Sequence, residues 1–177
     1  MLQISLSGTG GQGLILAGII LAEAAILDGK EAIQTQSYGP EARGGASKAE
    51  VLISNNAIDY PKVLNADILL VMSQEACNKY SSLIGPGGKM IVDTSLVWDI
   101  PEVAGKIIPL DITRAAKEEL GKEMVANIIA MGALVGLTKA VSWEALKAAV
   151  LARVPKGTED LNLKALELGL NMVKELV

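Results

Sequence analysis

Residues Leu2 to Gly13, LQISLSGTGGQG, constrain this chain more than any other stretch: a short apolar strand runs straight into Gly8, Gly10 and Gly13 and then into a helical pattern. Glycine at the first position permits a tight turn. At the second it lets an oxygen of a phosphate approach the main chain, and at the third it lets helix and strand pack closely. The free N–H groups and the positive end of the following helix face the same point, so Gly8, Gly10, Gly11, Gln12 and Gly13 form a candidate anion-binding turn. Such a glycine pattern recurs by chance; its position after a strand and before a helix is what gives it weight.

The order of elements then predicts an α/β fold. The first strand, Leu2 to Ser7, feeds a helix over 12–28 that Gly29 stops. A strand over 31–36 is followed by the loop Ser37 to Gly45 and a third strand over 47–54. That gap is too short for a crossover helix, so the third strand runs antiparallel or leaves the sheet. From Ala66 the alternation is regular: strand 67–72, helix 73–82, a glycine turn 85–88, strands 89–93 and 106–110, and helix 112–120. Three more helices follow, over 124–138, 143–153 and 159–177, with Met124 to Thr138 apolar on nearly every side and Ser142 as an N-cap. The expectation is a single domain, 1–177, with a doubly wound, mostly parallel Rossmann-like sheet and a helical C-terminal third.

Composition removes whole classes of chemistry. Half of the residues are apolar but only 3% are aromatic, with no Phe, so the interior is built from Leu, Ile, Val, Ala and Met. Sixteen basic against twenty acidic residues, a net charge of −4, provide no basic face for nucleic acid. Without histidine there is no His-based triad, histidine metal site or imidazole shuttle. Cys77, the single cysteine, cannot form an intrachain disulfide or hold an iron–sulfur cluster alone, and reads as a small helix residue. No basic leader opens the sequence, and its longest low-charge runs fall short of the roughly 20 residues of a membrane span. A cytoplasmic protein without membrane contact is expected.

A dinucleotide site would need an acidic residue near the end of the second strand to hold a ribose, and that place holds Thr35, Gln36 and Ser37. A free-standing NAD-binding protein is therefore disfavoured. The stronger second signal is the loop SYGPEARGG, 37–45, which places Tyr38, Glu41, Arg43, Gly44 and Gly45 beyond a strand end, where ligands of open α/β sheets bind. Arginine followed by Gly-Gly suits bidentate capture of phosphate or carboxylate; a solvated loop with a local Glu41 to Arg43 pair is the competing reading. Ser73 and Gln74 follow the next strand and are secondary candidates, Ser73 equally well explained as a helix cap. Asp93, Thr94 and Ser95 occupy the corresponding place one strand on, as a site or only a turn. Asn127, inside an apolar helix, needs a hydrogen-bond partner if buried, and a structural bond to a neighbouring loop is the favoured reading.

Taken together, GTGGQG at 8–13, AGIILAEAA at 17–25, QSYGPEARGG at 36–45 and SKAEVLIS at 47–54 resemble the gamma subunit of 2-oxoacid:ferredoxin oxidoreductases. The resemblance continues through IDYPKV at 58–63, ADILLVMSQEA at 66–76 and MVANIIAMGAL at 124–134, and so covers nearly the whole chain.

The resemblance implies one subunit of a complex that decarboxylates a 2-oxoacid, passes electrons to ferredoxin and releases an acyl-CoA. Thiamine diphosphate and the iron–sulfur clusters would lie in alpha, beta and possibly delta partner subunits, and the gamma module would form part of the coenzyme A site and border the active-site cleft. Neither a thiamine-binding G-D-G…N segment nor a cysteine cluster is present here, which suits that division. Carried over by position, Gly8 to Gly13 form the turn, and Tyr38 with Glu41 to Gly45 the loop facing coenzyme or substrate. Arg43 would hold either a CoA phosphate or the oxoacid carboxylate. Within the family the reading leans to 2-oxoglutarate, with pyruvate, branched-chain oxoacids and indolepyruvate behind. A scaffold that covers its partners without touching a ligand is the alternative, since a high apolar fraction suits large obligate contacts.

Overall fold

The computed structural model describes residues 1–38 and 45–176. Its six strands are β1 (Leu2–Thr9), β2 (Glu31–Ser37), β3 (Ala46–Ser54), β4 (Ala66–Val71), β5 (Ile84–Asp93) and β6 (Lys106–Leu110), in one sheet of order β2-β3-β1-β4-β5-β6. Its helices are α1 (Leu14–Leu27), α2 (Gln74–Tyr80), α3 (Ile112–Leu120), α4 (Ala126–Thr138), α5 (Trp143–Arg153) and α6 (Glu159–Met172). Strands β1, β4, β5 and β6 are mutually parallel, and β3 alone is antiparallel to both of its neighbours. The expected doubly wound, mostly parallel sheet with a helical last third is what forms.

Period-two alternation decides which face each strand side chain joins. Ile4 and Leu6 of β1, Val51 and Ile53 of β3, and Ile68 and Leu70 of β4 enter one core with α1, α3, α4, α5 and α6. Leu52, Leu69, Val71, Met90 and Val92 enter a smaller core with Ala76, Cys77 and Tyr80 of α2. The two layers are thus unequal: five helices on one face and α2 on the other. Helix α4 is buried from Ala126 to Leu137 because it lies within the thicker layer. Gly132 faces Leu166 and Gly169 faces Ile129 so closely that an added Cβ at either would overlap the opposing backbone, which brings α4 and α6 into direct backbone contact.

The third strand runs antiparallel, one of the two courses expected for it, and stays in the sheet between β1 and β2, because its apolar residues alternate to both faces and need cover on each. Three sequence expectations are corrected. The glycine segment 85–88 is part of β5: Ile84 pairs with Ala66 and Lys89 with Ile68, and the residues between bulge from the ladder. Met124 is 80% exposed in a 3-10 turn ahead of α4, outside the buried helix. The last α-helix ends at Met172, followed by a 3-10 turn over Lys174–Leu176. Pro109 is tolerated in β6 because that strand is an edge, where one side of the ladder is unpaired.

The topology gathers the site. The carboxyl ends of β1, β2, β4, β5 and β6 share one edge, and β3, running the other way, begins there: Ala46 lies opposite Thr9. Both described roots of the 38–45 loop therefore adjoin the glycine turn. The 55–65 connection passes beneath β1 at the opposite end, where Leu64 N–H donates to Gln3 Oε1 at 2.8 Å and Gln3 N–H to Asp67 Oδ2 at 2.7 Å.

Candidate functional site

The turn between β1 and α1 owes its shape to two left-handed glycines, Gly11 at φ +92° and Gly13 at φ +73°. Residues with a Cβ rarely adopt this region, and a side chain here would also cover the backbone amides. Gly13 is the N-cap of α1 and, among the described residues, no side chain caps that helix. The first-turn N–H groups of α1 consequently remain available to an anion.

Two amide side chains hold the turn in place. Gln12 Oε1 accepts the Thr9 N–H at 2.8 Å while its Nε2 donates to the Met72 carbonyl at 2.7 Å, tying the turn to the end of β4. Both ends of the Gln12 amide are thus engaged inside the protein. Asn127 Nδ2 donates to the Gly13 carbonyl at 3.2 Å, and its Oδ1 accepts the Ile128 N–H at 2.9 Å. Asn127 therefore has the bond to a neighbouring loop that its burial required, and it also fixes where α1 begins relative to α4.

Three clefts open on this turn. One of about 300 Å³ joins Gly10, Gly11 and Gly13 to Tyr38 and Ser47. A second, also about 300 Å³, runs from Gly11 and Gln12 past Met72 and Thr113 to Met124. The third, of about 300 Å³, leads from Gly11 to Gly13 between α4 and α6 to Thr158 and Asn162. Gly8 lies just inside, buried under Gln12 and Leu14, where an added Cβ would collide with both; its role is the close approach of strand and helix.

The structure therefore brings Gly10, Gly11, Gly13 and Tyr38 to one cleft, with Tyr38 66% exposed at its rim. Gly45 leads into β3 beside them. Glu41, Arg43 and Gly44 lie outside the described residues. The root of their loop is held by α2: Ala46 N–H donates to Glu75 Oε1 at 3.2 Å, and Tyr80 OH donates to the Ala46 carbonyl at 3.4 Å.

Ser73 and Gln74 do not line these clefts. Ser73 Oγ accepts the Ala76 N–H at 3.1 Å as the cap of α2. Gln74 donates to Asn78 Oδ1 and to the Asp99 carbonyl and accepts from the Trp98 and Asp99 amides, so it organises the 98–99 segment. Asp93 is fully buried; its carboxylate accepts from Thr113 Oγ1 at 2.5 Å, Thr113 N at 3.1 Å and Ser95 N at 3.1 Å, which makes it the post for the loop after β5. Thr94 Oγ1 donates to Asp111 Oδ1 and Ser95 Oγ accepts the Arg114 N–H, completing that structural cluster. Cys77 is buried in α2, where burial first and the Asp99 charge second push its thiol above the usual range, disfavouring a thiolate.

Sheet order itself argues against a dinucleotide site. Where β2 adjoins β1, an acidic residue at the end of β2 reaches a ribose bound at the first turn. Here β3 stands between them, so Thr35 to Ser37 lie two strand spacings, roughly 10 Å, from β1. Residues that sequence reasoning did not single out, Val125, Thr158 and Asn162, join the turn because α4 and α6 deliver them to it. Asn162 carried the signal already noted for Asn127, a polar residue on a buried helix face.

Comparisons with known proteins follow this geometry. The family described as pyruvate ferredoxin/flavodoxin oxidoreductase matches residues 3–172. The chain is 54% identical over 177 residues to the 2-oxoglutarate synthase subunit KorC of Methanocaldococcus jannaschii, covering 98% of this chain and 95% of that one. Among solved structures, a keto/oxoacid ferredoxin oxidoreductase gamma subunit from Geobacter sulfurreducens superposes with a TM-score of 0.90 at 49% identity, covering 99% of both chains. The same fold forms part of a longer chain in a 2-oxoglutarate:ferredoxin oxidoreductase from Magnetococcus marinus solved with 2-oxoglutarate, coenzyme A and succinyl-CoA bound. That likeness has a TM-score of 0.89 and 24% identity, over 99% of this chain and 31% of that one.

Proposed function

Because the chain belongs to the pyruvate ferredoxin/flavodoxin oxidoreductase family, we propose that it is the gamma subunit of a multisubunit 2-oxoacid:ferredoxin oxidoreductase that uses 2-oxoglutarate. In this reading the subunit contributes to the coenzyme A site and borders the active-site cleft, while alpha and beta partners, with or without a delta subunit, carry thiamine diphosphate and the iron–sulfur clusters and face ferredoxin. The 54% identity to a 2-oxoglutarate synthase subunit over nearly the whole chain supports the choice of oxoacid.

One observation carries the coenzyme reading: a helix N-terminus with no side-chain cap among the described residues, behind two left-handed glycines and opening on the sheet edge where the roots of the 38–45 loop emerge. These residues fit a phosphate-bearing ligand, since no Cβ stands over the Gly10 and Gly11 backbone and, chain neighbours aside, nothing among the described residues lies within 4 Å of where one would be. Coenzyme A supplies the thiol that accepts the acyl group. This chain's residues bind and orient: amides of the turn meet the anion, Gln12 and Asn127 keep those amides in register, and Arg43 adds a guanidinium from the adjoining loop.

The assembled complex tests this reading, assayed for CoA-dependent ferredoxin reduction with 2-oxoglutarate or pyruvate, with and without this chain. Full activity is expected only with the chain present, with 2-oxoglutarate preferred, and Arg43→Ala is expected to raise KM for CoA or for the oxoacid. A complex without the chain that still saturates normally with CoA overturns the assignment.

A further inference from the structure

A tryptophan is held out into solvent beside α2. Trp98, in the segment between β5 and β6, is 81% exposed, more than any other large apolar side chain among the described residues. A single apolar residue in water is ordinary in itself, and what sets this one apart is its mounting. Val97 before it is buried, and Ile100 and Val103 after it pack into the smaller core, so the chain is pinned on both sides of the ring. The Trp98 and Asp99 N–H groups both donate to Gln74 Oε1 at 3.0 Å, and Gln74 Nε2 returns a bond to the Asp99 carbonyl at 2.7 Å. A further bond from the same Nε2 to Asn78 Oδ1 at 2.8 Å fixes the plane of that amide on α2.

A backbone fixed beneath an exposed ring removes in advance the ordering cost that binding otherwise incurs. Trp is also the side chain most enriched where one residue dominates an interface, seated in a well-packed, desolvated pocket of the other protein. Charge narrows the choice of that protein. The segment 94–105 contains Asp99 and Glu102, both exposed, and neither Lys nor Arg. A surface complementary to it is therefore positive around the place where the ring enters. A second copy of this chain, docked about a two-fold axis on Trp98, would set Asp99 and Glu102 of both copies against one another, a juxtaposition of like charges that opposes association. The occupant that fits is a different protein, and by covering Trp98 it would complete the thinner, α2 layer of the sheet.

Resting on the reading of this chain as one subunit of a complex, we propose that Trp98 is the anchor by which it docks on a partner subunit, the ring seated in an apolar socket with a basic rim. Gln74 is then a positioning residue that acts through the backbone of Trp98 and Asp99. That role accounts for its place after a strand end, where it faces none of the three clefts at the glycine turn. Asp99 and Glu102 steer the approach.

Hydroxyl-radical footprinting of the wild-type chain, alone and assembled with its alpha and beta partners, reads the ring directly. Trp98 is expected to react readily in the free chain at every protein concentration and to be protected in the complex. Protection that grows with concentration in the free chain would assign the ring to a second copy, and full reactivity in the complex would leave it uncovered. Either result overturns the proposal while the subunit reading stands; a wild-type chain that does not assemble with these partners brings down both. Affinity for the partner subunits then measures the anchor. Trp98→Ala is expected to raise Kd at least about thirtyfold, Trp98→Phe far less, and Gln74→Leu about three- to tenfold. Because the ring is exposed in the free chain, Trp98→Ala should melt as the wild type does, which separates lost docking from lost folding. Glu102→Lys should slow association and weaken its dependence on salt. An unchanged Kd in Trp98→Ala, even with the wild-type ring protected, would make Trp98 a covered bystander and overturn its role as anchor.

Discussion

Gly13 and Gly29 provide a matched pair for measuring what Asn127 does. Both have φ +73°, so alanine meets the same left-handed penalty at each: about 1–2 kcal/mol in the folded state, offset by about 0.4–1 kcal/mol from a stiffer unfolded chain. At Gly29, chain neighbours aside, nothing among the described residues lies within 4 Å of the new Cβ, and Gly29→Ala should lose about 1 kcal/mol. At Gly13 the Cβ would stand 2.5 Å from Asn127 Nδ2 and 3.3 Å from its Cγ. The amide must swing away, breaking its bond to the Gly13 carbonyl and leaving a buried donor unpaired, which adds about 1–3 kcal/mol. Gly13→Ala should therefore melt on the order of 5 °C below Gly29→Ala, with a matching gap in urea midpoint. In an Asn127→Ala background the gap should close, because the amide that the added methyl would displace is gone. Equal losses at the two glycines in the wild type, or a gap that persists without Asn127, would refute the lock between α4 and the glycine turn.

Gly169→Ala should be among the most damaging single-methyl additions to this chain: the Cβ would overlap the Ile129 carbonyl and lie 2.8 Å from the Ala133 nitrogen, so α4 and α6 must part, at about 3 kcal/mol or more by thermal melting. A loss under about 1 kcal/mol would contradict the spacing of these helices. The Asp28 carboxylate is held below its ordinary value chiefly by the Ser142 hydroxyl, at 2.6 Å, and then by the Ser142 N–H, at 2.5 Å. With the folded value depressed, its contribution is present above the ordinary carboxylate range and is lost as pH falls through the lowered value. The melting difference between wild type and Asp28→Asn should accordingly shrink as the pH is lowered below the ordinary carboxylate range; a constant difference would dismiss the pair.

Local signals made much of this fold legible. Six strand segments and six helices can be read from periodicity and stops, because alternation, a capping Ser142 and a terminating Gly29 act within a few residues of where they stand. The glycine turn is legible for the same reason: φ +92° and +73° are backbone conformations that residues with a Cβ rarely adopt. Ser73 and Gln74 were harder, since the residue types that bind ligands also cap helices and bridge loops. Only their partners, the Ala76 N–H and the 98–99 backbone, distinguish the two uses.

By itself the sequence determined the element order, the aliphatic character of the interior and the presence of an anion-ready turn, all properties of neighbours along the chain. Tertiary structure alone decided that β3 separates β2 from β1, and that Gln12 faces inward to Met72. It also decided that α4 and α6 bring Asn127, Thr158 and Asn162 to a turn more than a hundred residues away. Those outcomes depend on which surfaces exclude water together and where two glycines let helices touch, and packing of that kind is settled among distant segments at once, with no trace in the spacing of any one of them.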